Sequence, residues 1–230
     1  MGFNEKVHAY IAAKYYLHLT ETFGERGKAA FSHATRIYAE QRGSRMAQRA
    51  IRDGQPLTYE TYCRYGEWVN TEEIAEMGAA NQVMVASYNP DYEMHIYVCP
   101  WHSQFREMGM TEAGLAYCRD LDASICRGFN PQLQYETTQT LHDHDCCIQI
   151  VRSSGLTEVK RIEKNPANVR SFEYHCAHSF WTYHEITASV FGAEGEAVNA
   201  LVLQDFRSDY CSEMADTLVR YRGTDFQVIQ

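Results

Sequence analysis

The segment TLHDHDCCIQI, residues 140–150, concentrates side chains that could do chemistry. It contains, in order, His142, Asp143, His144, Asp145, Cys146 and Cys147. A cysteine thiol beside a histidine that a carboxylate orients is a covalent nucleophile. The same residue types could instead hold a zinc ion with one open position, which would supply a metal-bound hydroxide. The order of residues supports both chemistries, and an Asp-rich turn without function is the third interpretation.

A helix predicted from Thr111 to about Cys126 carries the second group of candidates. Four residues spaced three, four and three apart form one stripe on it: Leu115, Cys118, Asp122 and Ile125. An ionised carboxylate inside an apolar stripe is costly unless it is paired or hydrogen-bonded. The stripe therefore either lines a pocket, or Asp122 faces water while Cys118 is simply packed.

The segment YHCAHSFWTYHE, residues 174–185, forms a third cluster on a predicted helix. One helical face would present His175, His178, Thr182 and Glu185. Histidines three residues apart could ligate a metal, although a spacing of four is commoner on helices. The face is otherwise an aromatic packing surface with hydrogen-bonded histidines, or the wall of a pocket.

The elements that must position these residues are mostly helical. Residues 4–53 and about 169–221 show helical spacing of apolar residues, interrupted by FGERG (23–27) and FGAEG (191–195). The two breaks coincide when the first region is shifted by 168 residues. This repeat predicts two similar helical hairpins with a glycine-built corner, one from each end of the chain, unless FGxxG is merely a common stop and restart. A further helical run is predicted over about 57–79.

Alternating apolar residues predict a small antiparallel sheet between the helical regions. YEMHIYVC (92–99) reads as one strand, and QLQYETTQTL with CCIQIVR reads as a hairpin around the HDHD turn. In that hairpin, one face would carry Leu133, Tyr135 and Thr137 opposite Cys146, Ile148 and Ile150. If the turn is extended, His142, His144 and Cys146 share one side. The predicted fold is α+β, a single domain over residues 1–230, with helical hairpins from both termini around the sheet.

Composition restricts the classes of protein. The 230 residues are 45% hydrophobic and 22% charged, which is typical of a soluble globular protein. The net charge of −9 argues against a nucleic-acid partner, and without an apolar run of 18 residues we expect no membrane span. No export signal pattern and no CxxC pair accompany the eight cysteines. We therefore expect reduced thiols in a cytoplasmic protein.

Three segments together resemble the L-2-amino-thiazoline-4-carboxylic acid hydrolase family. RIYAEQRGSRMAQRA (36–50) is similar to the family helix with a Tyr-x-x-x-Arg-Gly signature, and residues 98–133 continue the similarity. TTQTLHDHDCCIQI resembles the family's acidic turn and terminal cysteine before a strand. The resemblance covers about residues 5–152, and residues 160–230 look like a C-terminal helical extension.

The resemblance implies ring-opening hydrolysis of a small cyclic amidine or amide with cleavage of a carbon–nitrogen bond. It carries over Cys99, Cys118, Asp122, Asp145 and Cys147 as site residues. The chain departs from the family pattern at His144, where a glycine is expected, and at Trp101-His102, where relatives carry an aromatic and a small residue. Both departures bear on the choice of substrate.

From these patterns we expect a hydrolase with a Cys/His/Asp site that requires no cofactor, with a zinc-dependent version as the alternative. The expected catalytic residues are Cys118, Asp122, His142, His144, Asp145 and Cys147, with Asp122 orienting a histidine of the turn. The expected substrate-binding residues are Cys99, Trp101, His102, Tyr117, His175 and His178, with Tyr117 as a donor to developing negative charge. A binding protein for an aromatic or apolar small molecule, and a scaffold whose helical hairpins pair as a homo-oligomer, are the rival functions.

Overall fold

The computed structural model describes residues 2–156 and 162–229. Within them the helices are α1 (Glu5–Phe23), α2 (Glu25–Arg52), α3 (Tyr59–Arg64), α4 (Glu72–Glu76), α5 (Pro100–Glu107), α6 (Thr111–Phe129), α7 (Phe172–Asp209) and α8 (Ser212–Arg220). One antiparallel sheet contains β1 (Gln82–Ser87), β2 (Tyr92–Val98), β3 (Gln134–Gln139) and β4 (Cys147–Arg152). The predicted α+β class, with helices packed around a small sheet, is confirmed.

The two glycine corners have the same backbone geometry. Gly24, between α1 and α2, has φ 55° and ψ −130°, and Gly192, at the kink of α7, has φ 58° and ψ −132°. Residues with a Cβ rarely adopt this conformation. Three residues after each corner, Gly27 and Gly195 bring their helix against the carbonyl group of the preceding one. The repeat found in the sequence therefore corresponds to two equivalent helical hairpins.

The two hairpins pack against each other through equivalent aromatic rings. Phe23 stacks on Phe191 with ring centroids 3.7 Å apart, and Tyr15 stacks on Tyr183 at 5.0 Å. Both rings of each pair lie at matching positions of the repeat, so the packing is nearly two-fold symmetric. One hydrophobic core consequently contains residues from both ends of the chain, from Val7 to Phe226.

The sheet differs from its prediction in two respects. Its strand order is β1-β2-β4-β3, and β1 was not predicted. The helical run expected over about 57–79 contains only the short helices α3 and α4. The predicted hairpin register was wrong: Tyr135 pairs with Val151, and Thr137 pairs with Gln149. Cys146 lies in the turn and β4 begins at Cys147. Since side chains alternate between faces, this shift of one residue exchanges the two faces of the strand.

The long helix α7 forms the central wall of the fold. Much of this helix is buried, from Phe172 to Phe206, whereas Val190 and Leu201 are exposed. The stretch Pro166–Asp209 is long and apolar enough to cross a membrane by length and composition alone. The predicted helical region has a second interruption, at Tyr210 and Cys211, before α8 begins.

We predict that Gly24→Ala and Gly192→Ala each lower the free energy of unfolding by about 1–3 kcal/mol, because alanine is strained at this φ and ψ. Space does not limit either substitution, since a Cβ there would meet no atom within 4 Å. Urea unfolding measures the effect, with Glu21→Ala on the exposed end of α1 as the control. Equal stability of the glycine variants and the control would contradict the strained-corner explanation.

Candidate active site

The crossing of α2 and α6 determines where the candidate residues lie. A Cβ on Gly43 would come within 2.0 Å of the carbonyl oxygen of Ile125, and one on Gly128 would come within 2.3 Å of that of Glu40. The two backbones are therefore in direct contact. This contact orients α6 so that Asp122 reaches Gln149 of β4.

Asp122 is anchored by the sheet rather than by the histidine turn. Its Oδ2 accepts a hydrogen bond of 2.6 Å from Nε2 of Gln149 on β4, and Oε1 of Gln149 accepts one of 2.5 Å from the hydroxyl of Tyr135 on β3. The expectation that Asp122 orients a turn histidine is therefore wrong. Burial raises the pKa of Asp122, opposed by Arg42 and by the Gln149 hydrogen bond. Burial therefore disfavours the ionised form of Asp122, whereas Arg42 and Gln149 favour it.

Four thiols lie within electrostatic reach of Asp122, those of Cys99, Cys118, Cys126 and Cys147. Cys118 lies within electrostatic reach of Asp122 and of the thiols of Cys99 and Cys147. Burial raises the pKa of the Cys118 thiol well above its usual range, that of Cys99 to about 11 and that of Cys147 to about 12. All three are protonated at neutral pH. A thiolate nucleophile would therefore have to form after a ligand binds.

His142 is the histidine of the turn that reaches Cys118. Its Nε2 lies 3.5 Å from the Cys118 sulfur, while its Nδ1 is buried without a hydrogen-bond partner among the described residues. The ring lies directly against Gly114, where a Cβ would come within 2.1 Å of it. Burial and the neighbouring His102 lower the pKa of His142 to about 4. His142 is therefore neutral at pH 7 and able to accept a proton.

The turn is not extended, so its other candidates lie elsewhere. Thr140 and Asp143 close it, because Oδ1 of Asp143 accepts hydrogen bonds from the backbone N–H and the hydroxyl of Thr140. His144 and Asp145 are exposed, and His144 pairs with Asp143 at 3.0 Å. The structure therefore brings His142 to Cys118 but leaves His144 and Asp145 at the surface.

The grouped side chains lie between α6 and the sheet, in a space that we call the hollow. Five of its residues are half-buried: Tyr62, Cys99, Cys118, Asp122 and Tyr135. Two surface grooves, of about 510 and 400 Å³, do not include Cys118 or Asp122.

Trp101 and Tyr117 belong to a hydrogen-bond network around His8 of α1. The indole N–H of Trp101 donates to Nδ1 of His8 at 3.0 Å, and the hydroxyl of Tyr117 lies 3.3 Å from the same nitrogen. Because Nδ1 accepts, the proton of neutral His8 is on Nε2, which donates to the hydroxyl of Tyr38 at 2.9 Å. The Tyr117 hydroxyl is thus directed at His8.

His175 and His178 lie in a separate buried ionic cluster. Nε2 of His175 donates to the carbonyl oxygen of Glu67, and Nε2 of His178 donates to the side-chain oxygen of Gln41. In the described part of the chain no hydrogen bond or ring contact joins either histidine to Cys118, Asp122 or His142. The two histidines that sequence reasoning assigned to the substrate are packed behind the hollow.

Glu67 is the centre of this ionic cluster. Arg45 contacts both of its carboxylate oxygens, at 3.2 and 2.8 Å, and Arg49 contacts one at 2.6 Å. Although burial disfavours the charged form, the Arg45 guanidinium and the other nearby cations lower the pKa of Glu67 to about 2. Glu67 is therefore ionised, and each of its oxygens already accepts a short charge-assisted hydrogen bond.

Arg42 is the arginine of the Tyr-x-x-x-Arg-Gly signature (Tyr38 to Gly43) and was not among the expected site residues. It lies one turn before Arg45 on α2, and its guanidinium is within electrostatic reach of Tyr62 and Asp122. It makes no hydrogen bond with any described residue, and its nearest carboxylate oxygen is 4.0 Å away, on Glu67. The spacing of Arg42, Arg45 and Arg49 on a buried helix was the signal that could have identified it.

The described residues contain no group of three or more His, Cys, Asp or Glu side chains arranged to hold a metal ion. The thiols of Cys99, Cys118 and Cys147 share the hollow with Asp122, but their arrangement does not match a zinc site. We therefore assign no metal to these residues.

Comparison with known proteins identifies one family. The family model for L-2-amino-thiazoline-4-carboxylic acid hydrolase matches residues 4–149. This region runs from the N-cap of α1 into β4 and includes every side chain that lines the hollow on α2, α3, α6 and the sheet. No curated protein and no solved structure shows significant similarity to the chain.

We predict that Gly114→Ala displaces the His142 ring from Cys118, because the new methyl group would occupy its position. The turn can swing outwards, so we expect the fold to persist and the pKa of His142 to rise from about 4 towards its ordinary value of 6.5. NMR titration of the histidine ring protons measures this change. A His142→Ala background is the control, since Gly114→Ala should have no further effect on activity there.

We also predict that acid destabilises the protein through its buried histidines. Burial lowers the pKa of His175 to about 3, whereas an unfolded histidine has a pKa near 6.5. The stability gained from a neutral His175 is complete above pH 6.5 and is lost as the pH falls towards 3, because only the unfolded chain takes up the proton. Between these two pKa values, His175 contributes about 1.36 kcal/mol per pH unit to the slope of the unfolding free energy against pH.

Urea unfolding of wild type and His175→Gln at pH 7, 6 and 5 tests this prediction. The slope of unfolding free energy against pH should be smaller in the variant by about one proton. Parallel curves for the two proteins would show that His175 is not responsible.

Proposed function

The chain belongs to the L-2-amino-thiazoline-4-carboxylic acid hydrolase family, and we propose that it opens the ring of this compound, or of a closely related cyclic amidine, by cleaving a carbon–nitrogen bond. The observation that carries the proposal is the pairing of Cys118 with His142 at 3.5 Å on the edge of the hollow. A thiol next to a neutral imidazole is poised to lose its proton during attack.

Asp122 would bind the amidine. One of its oxygens is held by Gln149, and the other makes no hydrogen bond with the described residues and is open to the hollow. A protonated amidine offers two N–H donors and a positive charge, which together favour an ionised carboxylate. Binding would therefore pair the Asp122 carboxylate with a cation and offset the burial that raises its pKa.

The same positive charge would assist the thiol. Burial keeps Cys118 protonated in the free protein, and a cation within the hollow favours the thiolate. The Cys118 sulfur would then attack the amidine carbon as its proton moves to Nε2 of His142. His142 would pass that proton to the ring nitrogen, and the ring C–N bond would break. The opened substrate would remain attached to the sulfur through its former amidine carbon.

Water would complete the reaction. It would add to the attached carbon and lose a proton to His142, and the Cys118 thiol would leave with that proton. For a 2-amino-thiazoline ring this sequence adds one water molecule and gives an S-carbamoyl group beside a free amine. Cys99 and Cys147, which remain protonated, would form the wall of the site. The Tyr117 hydroxyl contacts His8 and therefore would not donate a hydrogen bond to the negative charge that develops on the substrate.

We predict that Cys118→Ser lowers kcat on 2-amino-thiazoline-4-carboxylate by at least about 10³-fold, because a serine hydroxyl is a much poorer nucleophile beside a weakly basic histidine. Asp122→Asn should mainly raise KM through loss of the ion pair. The matched control is Cys146→Ser, which removes a thiol of the same turn that contacts Gln139 and lies outside the hollow. It should keep wild-type kinetics.

Mass spectrometry of rapidly quenched protein distinguishes the covalent mechanism. An adduct with the mass of the substrate on the peptide that contains Cys118 is expected. Turnover by Cys118→Ser at the wild-type rate would exclude the thiol mechanism. Tight binding of the amidine by wild type with no product would indicate a binding protein instead.

A further inference from the structure

The buried ionic cluster around Glu67 contains more positive than negative charge. Three arginines of α2 lie around the carboxylate of Glu67, whose oxygens accept hydrogen bonds from Arg45 and Arg49. The whole chain has 30 acidic and 21 basic residues, so this interior excess runs against its overall composition. A buried guanidinium without a partner is costly, and an anion that enters the site would relieve the cost.

Arg42 is the arginine that makes no hydrogen bond with a described residue. It is 6% exposed, its Nε is buried without a hydrogen-bond partner, and the closest carboxylate oxygen, on Glu67, is 4.0 Å from Nε, at the outer limit of an ion pair. Its electrostatic contacts with Tyr62 and Asp122 place it on the wall of the hollow that faces the thiols. Its terminal nitrogens are not among the fully enclosed polar atoms, so they remain accessible from that hollow.

Lys164 adds a second cation on the same side. Its Nζ donates to the carbonyl oxygen of Trp68 at 2.5 Å and lies 4.6 Å from the centre of the Trp68 ring, with no carboxylate partner among the described residues. Burial and the repulsion from Arg42 lower the pKa of Lys164 to about 8. The charges of Arg42 and Lys164 repel each other, and an anion bound between them would offset this repulsion.

We propose that Arg42, with Lys164 beside it, is the subsite that binds the carboxylate of the substrate, next to the Asp122 subsite for the amidine. The substrate class is then a zwitterion, a small cyclic amidine that carries a carboxylate on its ring. The identity of this ligand rests on the proposed function, whereas the anion subsite itself rests on a buried guanidinium without a hydrogen bond. Two groups of opposite sign in one hollow would also fix which face of the ring meets Cys118.

Calorimetry with two ligands tests the assignment, in a Cys118→Ser background so that binding is measured without turnover. The ligands are 2-amino-thiazoline-4-carboxylate and 2-amino-thiazoline, which lacks only the carboxylate. Arg42→Gln should weaken binding of the first by roughly 10- to 100-fold and change binding of the second by less than about twofold, because only the first loses charge-assisted hydrogen bonds. Arg42→Lys, which keeps the charge, should recover part of the loss.

Two control variants separate recognition from stability. Arg36→Gln changes the net charge equally on the exposed face of α2 and should leave both affinities unchanged. Arg42→Gln should keep or raise the urea midpoint of unfolding, because it removes a buried cation that makes no hydrogen bond with a described residue. Arg45→Gln, which leaves Glu67 without its main partner, should lower that midpoint. Equal weakening of both ligands by Arg42→Gln, or a loss of neither, would overturn the assignment.

Titration with acetate distinguishes failure of this inference from failure of the proposed function. If the amidines neither bind nor react, but acetate raises the unfolding midpoint of wild type and not of Arg42→Gln, the anion subsite holds and the hydrolase proposal fails. If wild type hydrolyses the substrate and Arg42→Gln treats both ligands alike, the hydrolase proposal holds and the role of Arg42 fails.

Discussion

The backbone contact between α2 and α6 at Gly43 and Gly128 is the constraint from which the rest of the site follows. Two helices approach this closely only where both lack a side chain, and any larger residue would force them apart. The contact sets the rotation of both helices at once. It directs Arg42 from α2 and Cys118 with Asp122 from α6 into the same space, and the inner face of the sheet closes that space.

The hollow buries ionisable groups at an electrostatic cost that a charged ligand would reduce. The thiols are neutral, the acid Asp122 is disfavoured as an ion, and the cation Arg42 has no hydrogen bond in the described structure. None of these conditions stabilises the fold. Unfavourable burial of this kind is commonly retained at functional sites, where binding energy offsets it. A zwitterionic ligand would form ion pairs with both Asp122 and Arg42.

The C-terminal helices are part of this arrangement although the family match ends before them. The match covers residues 4–149, whereas α7 supplies His175 and His178 to the buried ionic cluster and stacks Tyr183 on Tyr15. Since Glu67 and its arginines form the back wall of the hollow, α7 supports the site from behind. The repeat explains how α7 packs against the N-terminal hairpin. Gly24 and Gly192 have the same backbone geometry, and the phenylalanines that precede them stack on each other.

The sequence by itself determined the helices, the glycine corners and the stripe of Cys118 and Asp122, because these depend on local periodicity and on backbone angles that only glycine tolerates. It also supported the assignment of family, which the comparison confirmed. Only the tertiary structure decided which histidine of HDHD turns inwards, since a shift of one residue at the start of β4 changes every partner in the hairpin. It alone separated His175 and His178 from the thiols and revealed Arg42, because whether a buried charge is paired depends on residues distant in sequence. Glu67 accepts hydrogen bonds from Arg45 and Arg49 across a tertiary contact, and no local sequence pattern indicates that Arg42 makes none with the described residues.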